Sequence, residues 1–245
     1  MKQFLIAALT FLFLACGSVT KTPYRIAVDP SFYPLDLMGK EANVFAFSNE
    51  LLQAISKKQK IPLVRINASW DNLLDGLERD SYDAVISPLP PYNFNLAKFD
   101  FSSVCLATGY VLVLREDESS RTLKKLQDRE VAVQMNSEAE RILSEYPKVF
   151  VRYYENPAVA LEQLDQKQLD GVVMDAVPAT SFIQDRYYGK LKIGKEPLSD
   201  AGLRIIALKD THKELMEQIN DGIAKLKRDG TYDKLLIKWK LNVQQ

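Results

Sequence analysis

Cysteine is scarce in this 245-residue chain, which has two, Cys16 and Cys105. Two thiols make no disulfide framework, so a packed core must hold the fold. Histidine occurs once, at His212. A histidine-rich metal centre is therefore excluded, and because His212 opens a polar C-terminal helix, no Cys–His catalytic pair is expected. Net charge is missing too, since 32 basic residues balance 32 acidic ones. A neutral chain exerts no long-range pull on nucleic acid, and no basic stripe supplies a local one. Paired-carboxylate motifs, metal-ligand spacings, phosphate loops and nucleophile elbows are also absent. The expectation is a non-enzymatic protein with no cofactor, no metal and no nucleic-acid partner.

What is present starts with an export signal. Lys2 precedes "FLIAALTFLFLA" and Cys16. A run of about 12 apolar residues is too short to span a bilayer, which needs about 20. "FLAC" resembles the lipobox of bacterial lipoproteins, in which the cysteine is lipidated and becomes the new N-terminus. Phe13 stands where leucine is usual. The other reading is a secretory signal cut near Ala15 or Gly17. Lipidation at Cys16 implies a signal peptide over 1–15, a lipidated linker over 16–23 and a periplasmic or outer-face location. Cys105, in the apolar "SVCLATGYVLVL", reads as a small buried hydrophobe.

From Tyr24 onward strand-like and helix-like segments alternate. "YRIAV", "LVRIN", "YDAVIS", "GYVLVL", "EVAVQ", "VFVRYY", "GVVMD" and "LRIIAL" read as strands. "FAFSNELLQAISKKQK" places Phe47, Leu51, Leu52 and Ile55 at helical spacing. A long terminal helix is expected from Thr211. The alternation implies an α/β fold with mainly parallel sheets flanked by helices. An ungapped repeat is visible between "LLDGLERDSYDAVIS" (73–87) and "ALEQLDQKQLDGVVM" (160–174), with Asp83 matching Asp170. One such unit in each half suggests two similar lobes. In open α/β sheets ligands sit beyond the carboxyl ends of the strands. Here those ends are "VDPSFYP", "SPLPPYNFN", "QMNSEAE" and "MDAVPA".

Several of these landmarks carry a family resemblance. "LKRDGTYDKLLIKW" near the C-terminus, with "VDPSFYPLD", "SWDNLLDGL", "YDAVIS", "FDFS", "VVMDA" and "EPLSDAG" in order, resembles the extracytoplasmic solute-binding proteins of polar amino-acid ABC transporters. The resemblance implies a periplasmic-binding-protein fold of two lobes that close on a small-molecule ligand and deliver it to a permease. Lobe 1 would comprise 24–107 and 206–245, and lobe 2 would comprise 108–205 with hinge crossings near 108–113 and 200–205. It implies a monomer held to a membrane by its lipid.

The resemblance also assigns a pocket. Asp175 would take the ligand ammonium, or cap the following helix. Phe32 and Trp70 would sandwich the ligand, and Asp29 would reach it or serve as a turn residue before Pro30. Ser87, Pro88 and Gln134 would line the cleft. The family's carboxylate grip is altered: Asn95 stands in place of an arginine, Pro90 in place of a hydroxyl residue, and Glu138 in place of a threonine. Such a pocket suits an amine or peptide-like ligand. Against this, Ser137 and Glu140 could form a capping box with Glu138 facing solvent, and Arg204 could supply the missing cation. Two alternatives remain at this point: a lipoprotein of the same fold with an altered or lost transport role, and a periplasmic dehydratase-like enzyme.

Overall fold

The computed structural model describes residues 22–242. Cys16 and the signal segment lie outside them. The chain first builds β1 (Tyr24–Val28), α1 (Glu41–Gln59), β2 (Leu63–Asn67), α2 (Trp70–Glu78), β3 (Ala84–Ser87), α3 (Asn93–Leu96), β4 (Phe99–Phe101) and β5 (Leu106–Ala107). It then crosses to β6 (Tyr110–Arg115), β7 (Glu130–Gln134), α4 (Ala139–Ser144), β8 (Phe150–Tyr154), α5 (Pro157–Asp165), β9 (Gly171–Asp175), α6 (Ala176–Asp185) and β10 (Leu191–Ile193). It returns through β11 (Gly202–Leu208), α7 (Lys213–Arg228) and α8 (Thr231–Lys238).

Two sheets result. The first has the order β2-β1-β3-β11-β4, with β5 also paired to β11, and the second runs β10-β6-β9-β7-β8. Both are mixed. The β1, β2 and β3 pairings are parallel, as are those of β7 with β8 and β9. The antiparallel members β6 and β11 are the strands that enter each sheet from a crossing.

Helical spacing fixes the first lobe's main layer. Val44, Phe47, Leu51, Leu52 and Ile55 form the buried stripe of α1, and they share one core with Leu215, Ile219, Ile223 and Tyr232 of the returning helices. The terminal helix is not continuous. Gly230 takes a left-handed φ of 74°, which ends α7 and sets off α8.

The internal repeat has a physical cause. Asp83 donates its N–H to the carbonyl of Arg25 (2.9 Å) and its carboxylate accepts the Arg25 N–H (2.6 Å). Asp170 does the same to Glu130, at 2.8 Å and 3.1 Å. Each aspartate thus closes the amino end of a parallel strand pair. Each also binds an arginine there, Arg25 in the first lobe and Arg129 in the second, at 3.3 Å and 3.2 Å.

The crossings are tied to each other. Gly109 and Thr108 donate to the Ala201 carbonyl, at 3.0 and 3.2 Å, and Leu198 donates to that of Tyr110 at 2.8 Å. Side chains would obstruct this approach: a Cβ on Gly109 would lie 2.2 Å from Ser199 Oγ, and one on Gly202 would lie 2.6 Å from the Leu106 carbonyl oxygen. The two segments thus meet at 108–110 and 198–201, and Arg204 belongs to the first sheet, opposite Ser87.

Burial works against the charge of Asp83, but the Arg25 hydrogen bonds outweigh it and hold the carboxyl below its ordinary value. The stabilisation this gives is present at neutral pH and is lost as pH falls through that lowered value. Asp83→Ala and Asp170→Ala should each cost about 2 kcal/mol, the scale of hydrogen bonds to a charged group. Urea unfolding should show the two losses adding in the double variant, since the sites lie in different sheets.

Candidate functional site

The loops at the carboxyl ends of β1, β3, β7 and β9 face one another across the gap between the lobes. Asp29, at the end of β1, is buried. One carboxylate oxygen accepts from Ser31 N (2.7 Å) and Ser31 Oγ (2.6 Å), and the other from the N–H of Trp70 at the first turn of α2. The carboxylate fastens the β1 exit to a helix start, which is the turn role.

Phe32 does not line the cleft. Its backbone is left-handed, with φ of 54°, and its ring is 1 % exposed within the core that includes Val28 and Leu37. The aromatic beside Trp70 is the next residue, Tyr33. It is 59 % exposed, with its ring centroid 5.7 Å from that of Trp70 in an edge arrangement. In "SFYP" the sequence shows two adjacent aromatics, but only the backbone turn decides which one faces out.

The loop after β3 is closed on itself. Ser87 is buried, and its Oγ accepts from Leu89 N at 3.1 Å. Pro88, Pro90 and Pro91 are half-buried. Asn95 is also buried, and its Nδ2 donates to the Pro90 carbonyl at 2.8 Å. Its amide is therefore a clamp on the proline loop, where a direct ligand contact was expected. Tyr92 and Phe94 stand outside, exposed, with ring centroids 5.8 Å apart.

At the end of β7, Gln134 is exposed and its carbonyl accepts from Ser137 Oγ at 2.7 Å. Ser137 thus caps nothing, and half of the capping box survives: Glu140 reaches back, to the N–H of Asn136. Helix α4 starts after Glu138, whose side chain pairs with Arg141 at 3.2 Å. The Glu138 charge is partly met inside its own lobe.

Asp175 is different. It occupies the N-cap position of α6 but makes no side-chain cap bond, and the Ala176 N–H goes to the Gly109 carbonyl at 2.9 Å. Burial pushes its carboxyl up to about 6, and the charge of Asp36 from the first lobe adds to the effect. A backbone hydrogen bond at Asp175 itself acts in the opposite sense. Tyr110 sits directly across the sheet from Asp175. Its hydroxyl is pushed up by burial and then by the charges of Asp175 and Glu138. Asp36, Tyr33 and Tyr110 were missed in the sequence because nothing in their spacing distinguishes them from surface and strand residues.

Beside these groups lies a cavity of about 280 Å3. Pro90 and Tyr92 from the first lobe, Glu138 and Arg141 from the second, and Ala201 and Arg204 from the second crossing and its strand all line it. A small neutral or ionic group fits, and walls from both lobes would clasp it.

Two α/β lobes, joined by paired crossings and lined at their facing edges by ligand-sized space, define a two-lobed solute receptor. The chain belongs to the bacterial extracellular solute-binding proteins, family 3, which it matches over residues 24–242. It is 24 % identical to the ABC transporter arginine-binding protein 1 of Escherichia coli K12, over 98 % of this chain and 99 % of that protein. Identity is again 24 % to a probable histidine-binding protein of Campylobacter jejuni, over 98 % of this chain and all of the relative (100 %). Among solved structures, the L-cystine solute receptor of Neisseria gonorrhoeae, unliganded and open, superposes with a TM-score of 0.70 at 19 % identity, covering 90 % of this chain and 94 % of that one. An ancestral cyclohexadienyl dehydratase shares the fold at a TM-score of 0.68 and 19 % identity, covering 89 % and 92 %. Members of the family are solute-binding proteins. Among the described residues no helix is long and apolar enough to cross a membrane.

Asn95→Ala frees the Pro90 carbonyl in a buried place. Such a loss costs about 1–3 kcal/mol, and chemical denaturation should show it as a lower midpoint at unchanged slope. Asn95→Arg should also destabilise, because a longer cation has no room where Nδ2 meets Pro90.

Proposed function

We propose that this protein is the ligand-capturing receptor of an ABC importer, taking an amino acid or a related amine between its lobes and passing it to a permease. The observation that carries the reading is Asp175, which ends β9 at the start of α6 without a side-chain cap bond and feels the charge of Asp36 from the first lobe. An ammonium group is the ligand chemistry that relieves both. The relatives named for arginine and histidine bind molecules that bear one. Trp70 and Tyr33 offer an aromatic wall at the carboxyl edge of the first sheet. Closure follows because a ligand that touches both lobes binds the closed state more tightly than the open one.

The lipid tether belongs to the same proposal. With Cys16 lipidated, the receptor stays at the outer face of a membrane, as a monomer near its permease. Cys16→Ser should move the protein from the membrane fraction to the soluble fraction and abolish labelling by a fatty-acid probe.

The pH dependence is set by sign. Because burial raises the carboxyl of Asp175 to about 6, its ionisation opposes folding of the unliganded protein, and that penalty grows as pH rises from 4 towards 7. A shift of this size corresponds to about 2–3 kcal/mol. Asp175→Asn should therefore melt several degrees higher than wild type at pH 7.5, at roughly 2–4 °C per kcal/mol, and equal it at pH 4. The same variant should lose binding of amino acids in a calorimetric titration. In wild type, affinity should fall up to tenfold per pH unit below about 6, as the cation competes with a proton. Retained binding by Asp175→Asn would remove Asp175 from the site.

A further inference from the structure

We infer that the far end of α6, with the turn and the tail of the first lobe that it touches, forms a latch that holds the lobes apart at the cleft mouth and releases when they close. The inference goes beyond the ligand reading and depends on no particular ligand.

The latch has an ionic bond and an amide bond. Lys40 Nζ lies 3.4 Å from an Asp185 carboxylate oxygen across the lobes. Gln184 Nε2 donates to the carbonyl of Asn242. Each charge of the ion pair stands where its own helix disfavours it. Lys40 is the N-cap of α1, and Asp185 is the last residue of α6. A helix carries partial positive charge at its start and partial negative charge at its end, so both side chains oppose the local dipole. Asp185 also accepts from Ser181 Oγ at 3.3 Å. Among the described residues Lys40 and Asp185 form an ion pair with each other alone. That pairing across the lobes is what offsets both local costs.

The first lobe presents its half of the latch rigidly. Met38 and Gly39 are both left-handed, with φ of 47° and 81°. Leu37 anchors the turn in the core, and Asp36 Oδ1 accepts from Met38 N at 3.0 Å. The Lys40 side chain is thereby held in place, 17 % exposed. The tail is fixed likewise. Leu241 is buried in the same core and its N–H donates to the Leu236 carbonyl at 2.8 Å, while Asn43 Nδ2 donates to the Trp239 carbonyl at 2.9 Å. The half from the second lobe is less satisfied. Gln184 Oε1 is buried with no partner among the described residues, so the contact is weaker than a finished core and is able to part.

Position gives the latch its leverage. The near end of α6 sits at the pivot, where the Ala176 N–H meets the Gly109 carbonyl and Val177 enters the first lobe's core. Asp185 lies about 12 Å further along the helix. A lobe rotation of roughly 20° therefore moves it about 4 Å, enough to separate the pair. On the cleft side, the loops after β3 and β7 spend their hydrogen bonds and ion pairs within their own lobes. Among the described residues, the latch bonds are made and bonds between those two loops are not. The latch thus favours the wider arrangement, and this bias lowers the apparent affinity of any ligand that needs the lobes closed.

Nitroxide labels at Phe94→Cys and Met135→Cys report the width of the mouth by double electron–electron resonance. Both positions are exposed, 67 % and 48 %, one on each lobe. Cys105 is buried and stays unlabelled, and Cys16→Ser removes the other thiol. The distances are measured without ligand. Lys40→Glu, Asp185→Lys and Gln184→Ala should each shift the distribution to shorter distances than in wild type. The first two place a favourable charge at their own helix ends, so their thermal midpoints should hold, which separates release from unfolding. Combining Lys40→Glu with Asp185→Lys rebuilds the pair in reverse and should restore the wild-type distribution. Unchanged distances in all three single variants would overturn the latch. So would distances that lengthen, or a charge swap that leaves the shorter distances in place. None of these outcomes bears on Asp175, whose test is ligand binding.

Discussion

The charge of Asp175 is the constraint around which this molecule is arranged. A carboxylate in a half-buried position is unfavourable unless something positive meets it, and here the neighbouring groups are another acid and tyrosines. The element that carries it is also the one seated between the lobes. Val177, in the first turn of α6, packs into the first lobe's core. At the other end of α6, Asp185 pairs with Lys40 at 3.4 Å. Asp175 therefore stands at the contact where the lobes already meet.

The two ends of each sheet are treated in opposite ways. At the amino ends, Asp83 and Asp170 are fully engaged by backbone N–H groups and arginines. At the carboxyl ends, Asp175 makes no side-chain cap bond. Stability is concentrated on one side of the fold and ligand chemistry on the other, in keeping with the general placement of ligands in open α/β sheets. Both aspartates of the repeat belong to the stabilising side, so the internal repeat reports on the frame and carries no information about the ligand.

This division explains what could be read without coordinates. Strand and helix order, two sheets and the family follow from periodicity and from contiguous motifs, because these are local or repeated many times along the chain. The place of Asp175 between a strand and a helix was legible for the same reason, since both elements have clear patterns. The remainder of the site turned on single backbone angles and single hydrogen bonds. One left-handed residue exchanged Phe32 for Tyr33 at the cleft. One amide bond turned the Asn95 Nδ2 onto Pro90. Arg204 looked like a hinge residue, and pairing with Ser87 moved it into the first sheet. Asp36 has no marker in the sequence, since its effect depends on Asp175 approaching from the other lobe.

The proline loop then takes its meaning from rigidity. Pro88, Pro90 and Pro91 each fix a backbone angle, and Asn95, with Nδ2 on the Pro90 carbonyl and N–H on that of Tyr92, closes the stretch into one turn. A loop ordered in this way before binding asks the ligand for little ordering entropy. The motion left to the molecule lies in the crossings, where glycines at 109 and 202 let the strands pass closely. Closure is then best described as movement of rigid lobes about short connections. A ligand that touches both lobes would stabilise the closed arrangement by its greater affinity for it, with no need to reshape either wall.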